Sequence, residues 1–296
     1  MKRTEIKHFT LYLKKMMKFY DLRVQGVPQA LFILLLAASF GMRVLLQPYV
    51  TDLAIYQQQI LNSLQSVLSQ GSLTSPAVMN SLTEIILSEG YTLLISLMVK
   101  ILGFIFLQQA IMMLLSFFYL GSYMVDLESS SSTLSQYFKK YFKALPRYIA
   151  FNILFYLCAG ILFLIILVAS SFVAMLLPLF SLVILLIPAV WFVVQVLFIF
   201  KDAVFLDTGA GVFKNFSLSL KLSSGNRIMI GRNVFFIFVL NWIIRMISTG
   251  NSVLISMFIF SFMEVIMLLI MQRLTALMYM DRTRVEKDDP KVIDRT

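Results

Sequence analysis

Cysteine and histidine are almost missing from this chain, with Cys158 and His8 the single examples in 296 residues. A lone cysteine cannot close an intramolecular disulfide, and no cluster of thiols exists to hold zinc or an iron–sulfur centre. A lone histidine near the N-terminus argues against histidine-based metal sites and against a Ser-His-Asp triad. No cofactor is expected. Charge is scarce as well: 14% of residues are charged, where a soluble domain has roughly 25%. Acidic residues number 15 against 25 basic ones.

What fills the chain instead is apolar. Hydrophobic residues make up 59%, more than a soluble core of this size can bury, so lipid must be the solvent for most of them. Six runs read as transmembrane helices: 27–48, 92–118, 148–176, 180–200, 233–249 and 253–275. The run from Tyr148 to Phe200 is too long for one crossing of a core about 30 Å thick, so a tight hairpin at Leu177, Pro178 and Leu179 is expected. No cleavable signal peptide is recognisable, and the first run reads as a signal anchor.

Basic residues alternate with basic-free stretches. Lys2, Arg3, Lys7, Lys14, Lys15, Lys18 and Arg23 precede the first run, and Lys139, Lys140, Lys143 and Arg147 precede the third. Lys201, Lys214, Lys221, Arg227 and Arg232 lie between the fourth and fifth, and Arg282, Arg284, Lys287, Lys291 and Arg295 follow the sixth. Between Val44 and Val99 there is no basic residue. By the positive-inside rule both termini are cytoplasmic, as six crossings require. The net charge of +10 therefore faces anionic lipid rather than nucleic acid, for which no motif occurs. The expected fold is an all-α integral membrane bundle of three hairpins, N-in and C-in, with basic amphipathic interfacial helices. Its parts are a basic cytoplasmic segment 1–26, a single six-helix domain 27–280 and a charged cytoplasmic tail 281–296.

The outer loop 49–91 carries Leu53, Ile60, Leu61, Leu64, Val67 and Leu68 at helical spacing, and Ser75-Pro76 resembles a helix start. Two short amphipathic helices on the outer face are expected there, as a passive connector or as a lid or docking element. A faint repeat relates YLKKMMK at 12–18, YFKKYFK at 137–143 and, more loosely, FKNFSLSLK at 213–221. Each reads as a basic helix ahead of a membrane hairpin, resting in the interface with aromatic and Met side chains down. Lys14, Lys15, Lys18, Lys139, Lys140, Lys143, Lys214 and Lys221 are then the candidate contacts to anionic head groups of the cytoplasmic leaflet.

Four ionisable residues fall inside the apolar runs: Arg43, Lys100, Arg245 and Glu264. Each costs roughly 2.5–3.5 kcal/mol at a helix centre, so each needs a partner or water. Glu264 falls near the midplane and the three cations in the outer half, so any of them can approach it. The group reads either as a polar cavity for an anionic head group or ion, or as a structural ion pair with snorkelling neighbours. Arg273 falls at the cytoplasmic end of the last run, where it reaches water easily. Gln108, Gln109, Asn152, Gln195 and Asn241 are expected to join helices by hydrogen bonds. Asp126 with Glu128, and Asp202 with Asp207, lack the supporting groups that hydrolysis or metal binding needs. Gly209-Ala210-Gly211 is not followed by the Gly-Lys-Ser/Thr of a nucleotide loop, so an ATPase within the chain is excluded.

The segment KDAVFLDTGAGVFKNFSLSLKLSSGN at 201–226 runs from an acidic-to-glycine turn into a helix with a Ser/Lys/Gly ending. With MYMDRTR at 278–284 and the short helix at 137–147, it resembles bacterial six-span families, among them the membrane domain attached to some glycerophosphodiester phosphodiesterases. The resemblance covers about 135–285 and supplies no functional residues. This chain carries none of the metal-binding Glu, Asp and His residues of the fused catalytic domain. The resemblance implies a non-enzymatic membrane module of the bacterial inner membrane, a scaffold or regulatory subunit. The rival reading is transport: a permease subunit served by another membrane protein or a separate ATPase, with 213–222 as coupling helix, or a small exporter of lipid or solute.

Overall fold

The structure, a computed structural model, describes residues 6–17, 27–69, 78, 80, 83, 89–127, 134–176, 187–246 and 252–288. The described residues are helical apart from short turns and contain no strand. The helices are α1 (Phe9–Met16), α2 (Val27–Ser69), α3 (Glu89–Leu127), α4 (Leu134–Leu176), α5 (Ile187–Leu197), α6 (Lys201–Thr208), α7 (Val212–Ser223), α8 (Arg227–Met246) and α9 (Val253–Asp288). Six segments are long and apolar enough to cross a membrane: Val27–Val67, Gly90–Val125, Tyr141–Ile166, Pro188–Thr208, Arg227–Ile244 and Val253–Thr283. An all-α protein with six such helices is what the hydropathy requires.

The boundaries depart from expectation at two prolines. Pro48 and Pro146 both lie inside unbroken helices. A proline removes one N–H and crowds one carbonyl, but its φ of about −65° is helical, so a long helix can continue through it. The pattern at 53–68 therefore belongs to the continuation of α2, not to a separate surface helix. Likewise 137–147 is the first part of α4. With 43 residues each, α2 and α4 are about 65 Å long at 1.5 Å per residue, twice the hydrocarbon thickness. The hairpin residues 177–179 and the Ser75-Pro76 start lie outside the described residues.

Contacts divide the chain into two compact units. One comprises Met1–Leu31, Ser116–Ile247 and Ile266–Thr296, the other Phe32–Leu115 and Ser248–Val265. In the second unit, Phe32 packs on Phe262 and Phe40 on Phe258. The register falls along α9 as it rises along α2, so the two run antiparallel.

The first unit is built around buried aromatic and polar groups. Phe117 stacks on Tyr148 at 3.7 Å, Phe118 stacks on Tyr141, and Phe151 meets Phe205 and Phe216. Arg273, expected to reach water, is 1% exposed. Its Nε donates to the Tyr119 hydroxyl at 2.7 Å and its Nη1 to the Met16 carbonyl at 3.0 Å, while its plane lies 5.0 Å from the Tyr123 ring. The end of α9 is not wet because α1 covers it. Tyr12 of α1 donates to Asp281 at 2.9 Å, the Asn233 amide donates to the Lys7 carbonyl at 3.0 Å, and Phe9 stacks on Phe236. Burial pushes the Tyr12 phenol up, the Lys7 N–H pulls it down and Asp281 pushes it up again, leaving it a protonated donor.

Replacing Arg273 by Met leaves the Tyr119 hydroxyl and the Met16 carbonyl unmet, at about 1–3 kcal/mol for each buried group. The expected result is a thermal midpoint in detergent lowered by several degrees, with Tyr119→Phe costing less. Equal midpoints for Arg273→Met and the parent protein would contradict this role.

Candidate functional site

Two helices of the second unit bring the Glu264 carboxylate to a cation. Glu264 of α9 accepts on Oε2 from Arg43 Nη2 at 2.9 Å and from the Ser39 hydroxyl at 2.8 Å. Ser39 and Arg43 are one turn apart on α2, so both side chains leave the same face. Ser39 is fully buried, while the Arg43 and Glu264 side chains are 35% and 27% exposed. Phe40 of α2 and Phe258 and Phe262 of α9, neighbours of the trio along the two helices, pack on one another. In such surroundings an unpaired charge is costly, and the pair offsets that cost by its own attraction.

Arg43 is not saturated by Glu264. Its Nε is buried and has no hydrogen-bond partner among the described residues, and the same holds for the Ser261 hydroxyl on α9. Beside the guanidinium lies a cleft of about 420 Å³ lined by Leu46, Gln47, Val50, Val253, Met257 and Phe260. A cation with spare donors at the wall of an apolar cleft is able to receive a small anionic group or to exchange Glu264 for it.

The other expected members do not join this pair. Lys100 is exposed on α3 and has no bond to Glu264, and the Arg245 side chain lies outside the described residues. Of the lysines expected at head groups, Lys14, Lys15, Lys139, Lys143, Lys214 and Lys221 are exposed. Lys18 and the side chain of Lys140 lie outside the described residues.

A second polar assembly, in the first unit, was not anticipated. The fourth span is interrupted at Phe198–Phe200, because the Lys201 N–H bonds to the Phe198 carbonyl rather than to that of Leu197. The released Leu197 carbonyl accepts from the Ser223 hydroxyl at 3.0 Å, and the Lys201 carbonyl accepts from the Asn215 amide at 2.9 Å. Ser219 donates to Asn215 Oδ1 at 2.9 Å. Asn215, Ser219 and Ser223 recur every four residues along α7 and are all fully buried. This helix thus turns its small polar stripe inward. The Lys201 ammonium lies 2.6 Å from Asp202 Oδ1 and 2.9 Å from Asn152 Oδ1, over the rings of Tyr148, Phe151 and Phe155. Asn152 thus joins helices as expected.

The turn after α6 is fixed from two sides. Asp207 accepts from the Tyr279 hydroxyl at 2.8 Å, and Arg147 donates to the carbonyl of Gly209. Gly209, at φ 62°, closes α6 in the left-handed conformation that glycine adopts without strain. The spacing of four between Asn215, Ser219 and Ser223 was the signal available in the sequence. Nothing there pointed to a broken span for them to satisfy.

Replacing Glu264 by Leu leaves Arg43 unpaired in apolar surroundings, at roughly 2.5–3.5 kcal/mol. The double change Arg43→Leu with Glu264→Leu should be less destabilising than the sum of the single changes, with a coupling of order 1–3 kcal/mol in equilibrium unfolding. Additive effects would mean that the pair contributes nothing. No protein-family model matches the chain, and neither does any curated protein or solved structure.

Proposed function

We propose that this chain is a non-enzymatic multi-pass module of the bacterial inner membrane, a scaffold or regulatory subunit that holds anionic lipid against its basic helices. Both termini face the cytoplasm in this reading, on the strength of the Lys and Arg asymmetry. The observation that carries it is the division of labour among the cations. Arg273 and Lys201 are used inside the fold, whereas Lys14, Lys15, Lys214 and Lys221 project from α1 and α7. Beside them Leu11 is 63% and Phe213 81% exposed. Exposed lysines next to exposed apolar side chains on short helices suit the boundary between phosphates and acyl chains. The likeness of 135–285 to the membrane domain of some glycerophosphodiester phosphodiesterases fits a membrane module of this kind.

The Arg43–Glu264 pair beside its cleft favours one second reading, a transport pathway for an anionic lipid or solute, in a permease subunit or a small exporter.

Each lysine near an anionic surface contributes about 1 kcal/mol. Changing Lys14, Lys15, Lys214 and Lys221 to Gln should therefore reduce the anionic lipid that copurifies with the protein severalfold, with the bundle still folded. Unchanged lipid enrichment would reject the lipid-holding reading. The transport reading expects proteoliposomes to move a fluorescent anionic lipid between leaflets and Glu264→Gln to slow that movement. Equal rates in empty and protein-containing vesicles would reject it for lipid.

A further inference from the structure

In the first unit, α7 and α8 are joined by the turn Ser224-Gly225-Asn226, and this turn forms the rim of a cleft of about 550 Å³. Gly225 has φ 84°, which lets the chain reverse within three residues. The turn is braced by Arg282, whose Nη2 donates to the Ser224 carbonyl at 3.1 Å. Ile6, 1% exposed, contributes a buried apolar wall. Arg227 and Arg232 also line the cleft, both exposed. Neither has a hydrogen bond or ion pair within the protein among the described residues, in contrast to Arg43, Arg147, Arg273 and Arg282. Ile228 between them is 90% exposed and Met229 lines the cleft.

We propose that this cleft is a binding site for one phosphate-bearing group, with Arg227 and Arg232 as its charge partners. A guanidinium presents a planar fork of donors that matches a phosphate oxygen pair, which an ammonium does not. The volume is in the range of small-ligand sites. Arg227 also opens a membrane-spanning helix, so the cleft sits where that helix meets the interface. Ile228, exposed beside the two arginines, faces the zone where the acyl chains of a phospholipid begin. A phosphate monoester on a lipid meets all of these features, and free phosphate meets the charge alone. The inference extends the lipid-holding reading, because it places one lipid in a defined site that none of the surface lysines contributes to.

The test is native mass spectrometry of the full-length protein in detergent, titrated with phosphatidic acid or with zwitterionic phosphatidylcholine. The parent protein should retain one phosphatidic acid per chain, and Arg227→Gln with Arg232→Gln should weaken that binding at least tenfold. Arg227→Lys with Arg232→Lys should fall between the two, since charge is kept and the fork is lost. Displacement of the lipid by millimolar inorganic phosphate would show that the cleft reads the phosphate alone. Retention against phosphate would show that the acyl chains contribute, and both results support the site. Equal binding of phosphatidic acid by the Gln variant and the parent protein overturns it, as does equal binding of phosphatidylcholine. The Lys14, Lys15, Lys214 and Lys221 variant separates the two proposals. If it alone loses lipid, the surface reading stands and the cleft fails. If it keeps the single tight lipid that the arginine variant loses, the cleft stands on its own.

Discussion

A guanidinium that water cannot reach must find its acceptors within the protein, and at Arg273 this requirement gathers three helices at one point. The side chain belongs to α9, takes the Tyr119 hydroxyl from α3 and the Met16 carbonyl from α1, and lies over the Tyr123 ring. With water excluded no other partner competes, so the arrangement that satisfies the cation also sets where the helices stand. Docking of α1 follows from it. With the C-terminal carbonyl of that helix held by Arg273, its Tyr12 reaches Asp281 and its Phe9 reaches Phe236. A helix of eight residues that leaves Leu11 and Leu13 facing out would not keep such a place by hydrophobic burial alone.

The same constraint explains α7. Breaking the helix at Phe198–Phe200 frees the Leu197 carbonyl, and a buried carbonyl left without a partner costs about 1–3 kcal/mol. Ser223 removes that cost and Asn215 holds the Lys201 carbonyl just beyond the break, which requires α7 to lie there with its polar stripe inward. Its lysines and Phe213 are then directed away from the protein. Exposure of the basic face is thus a consequence of where the backbone was opened.

Much of this was legible in the residues, and the reasons for the remainder are physical. The six spans follow from apolar runs that no soluble core could bury, and the Glu264 partner follows from the cost of a midplane charge. Arg43 was one of three cations able to meet it, and the choice depended on which helix faces α9. Arg273 was misjudged because its distance from the span end predicts water, whereas α1 covers that end, and no periodicity records a covering element distant in sequence. The expected ends at 48 and 148 were wrong because hydropathy marks where an apolar run stops, whereas the helices α2 and α4 continue beyond their apolar runs. The polar stripe of α7 was visible at a spacing of four, but its meaning depended on a break in another helix.

Arg43 and Arg273 show how the same side chain can serve opposite ends. Arg273 has acceptors on two of its nitrogens, aromatic faces beside it and no exposed surface, so displacing any partner would leave a buried charge unmet. Arg43 holds one carboxylate oxygen, keeps an unpartnered Nε and borders a cleft. An unmet buried donor costs about 1–3 kcal/mol, and an incoming anion would recover that amount while Ser39 continues to hold Glu264. Exchange of partners is therefore far less costly at Arg43 than at Arg273. Of these two cations, Arg43 keeps a donor for an incoming anion, and Arg273 spends its donors on holding the fold.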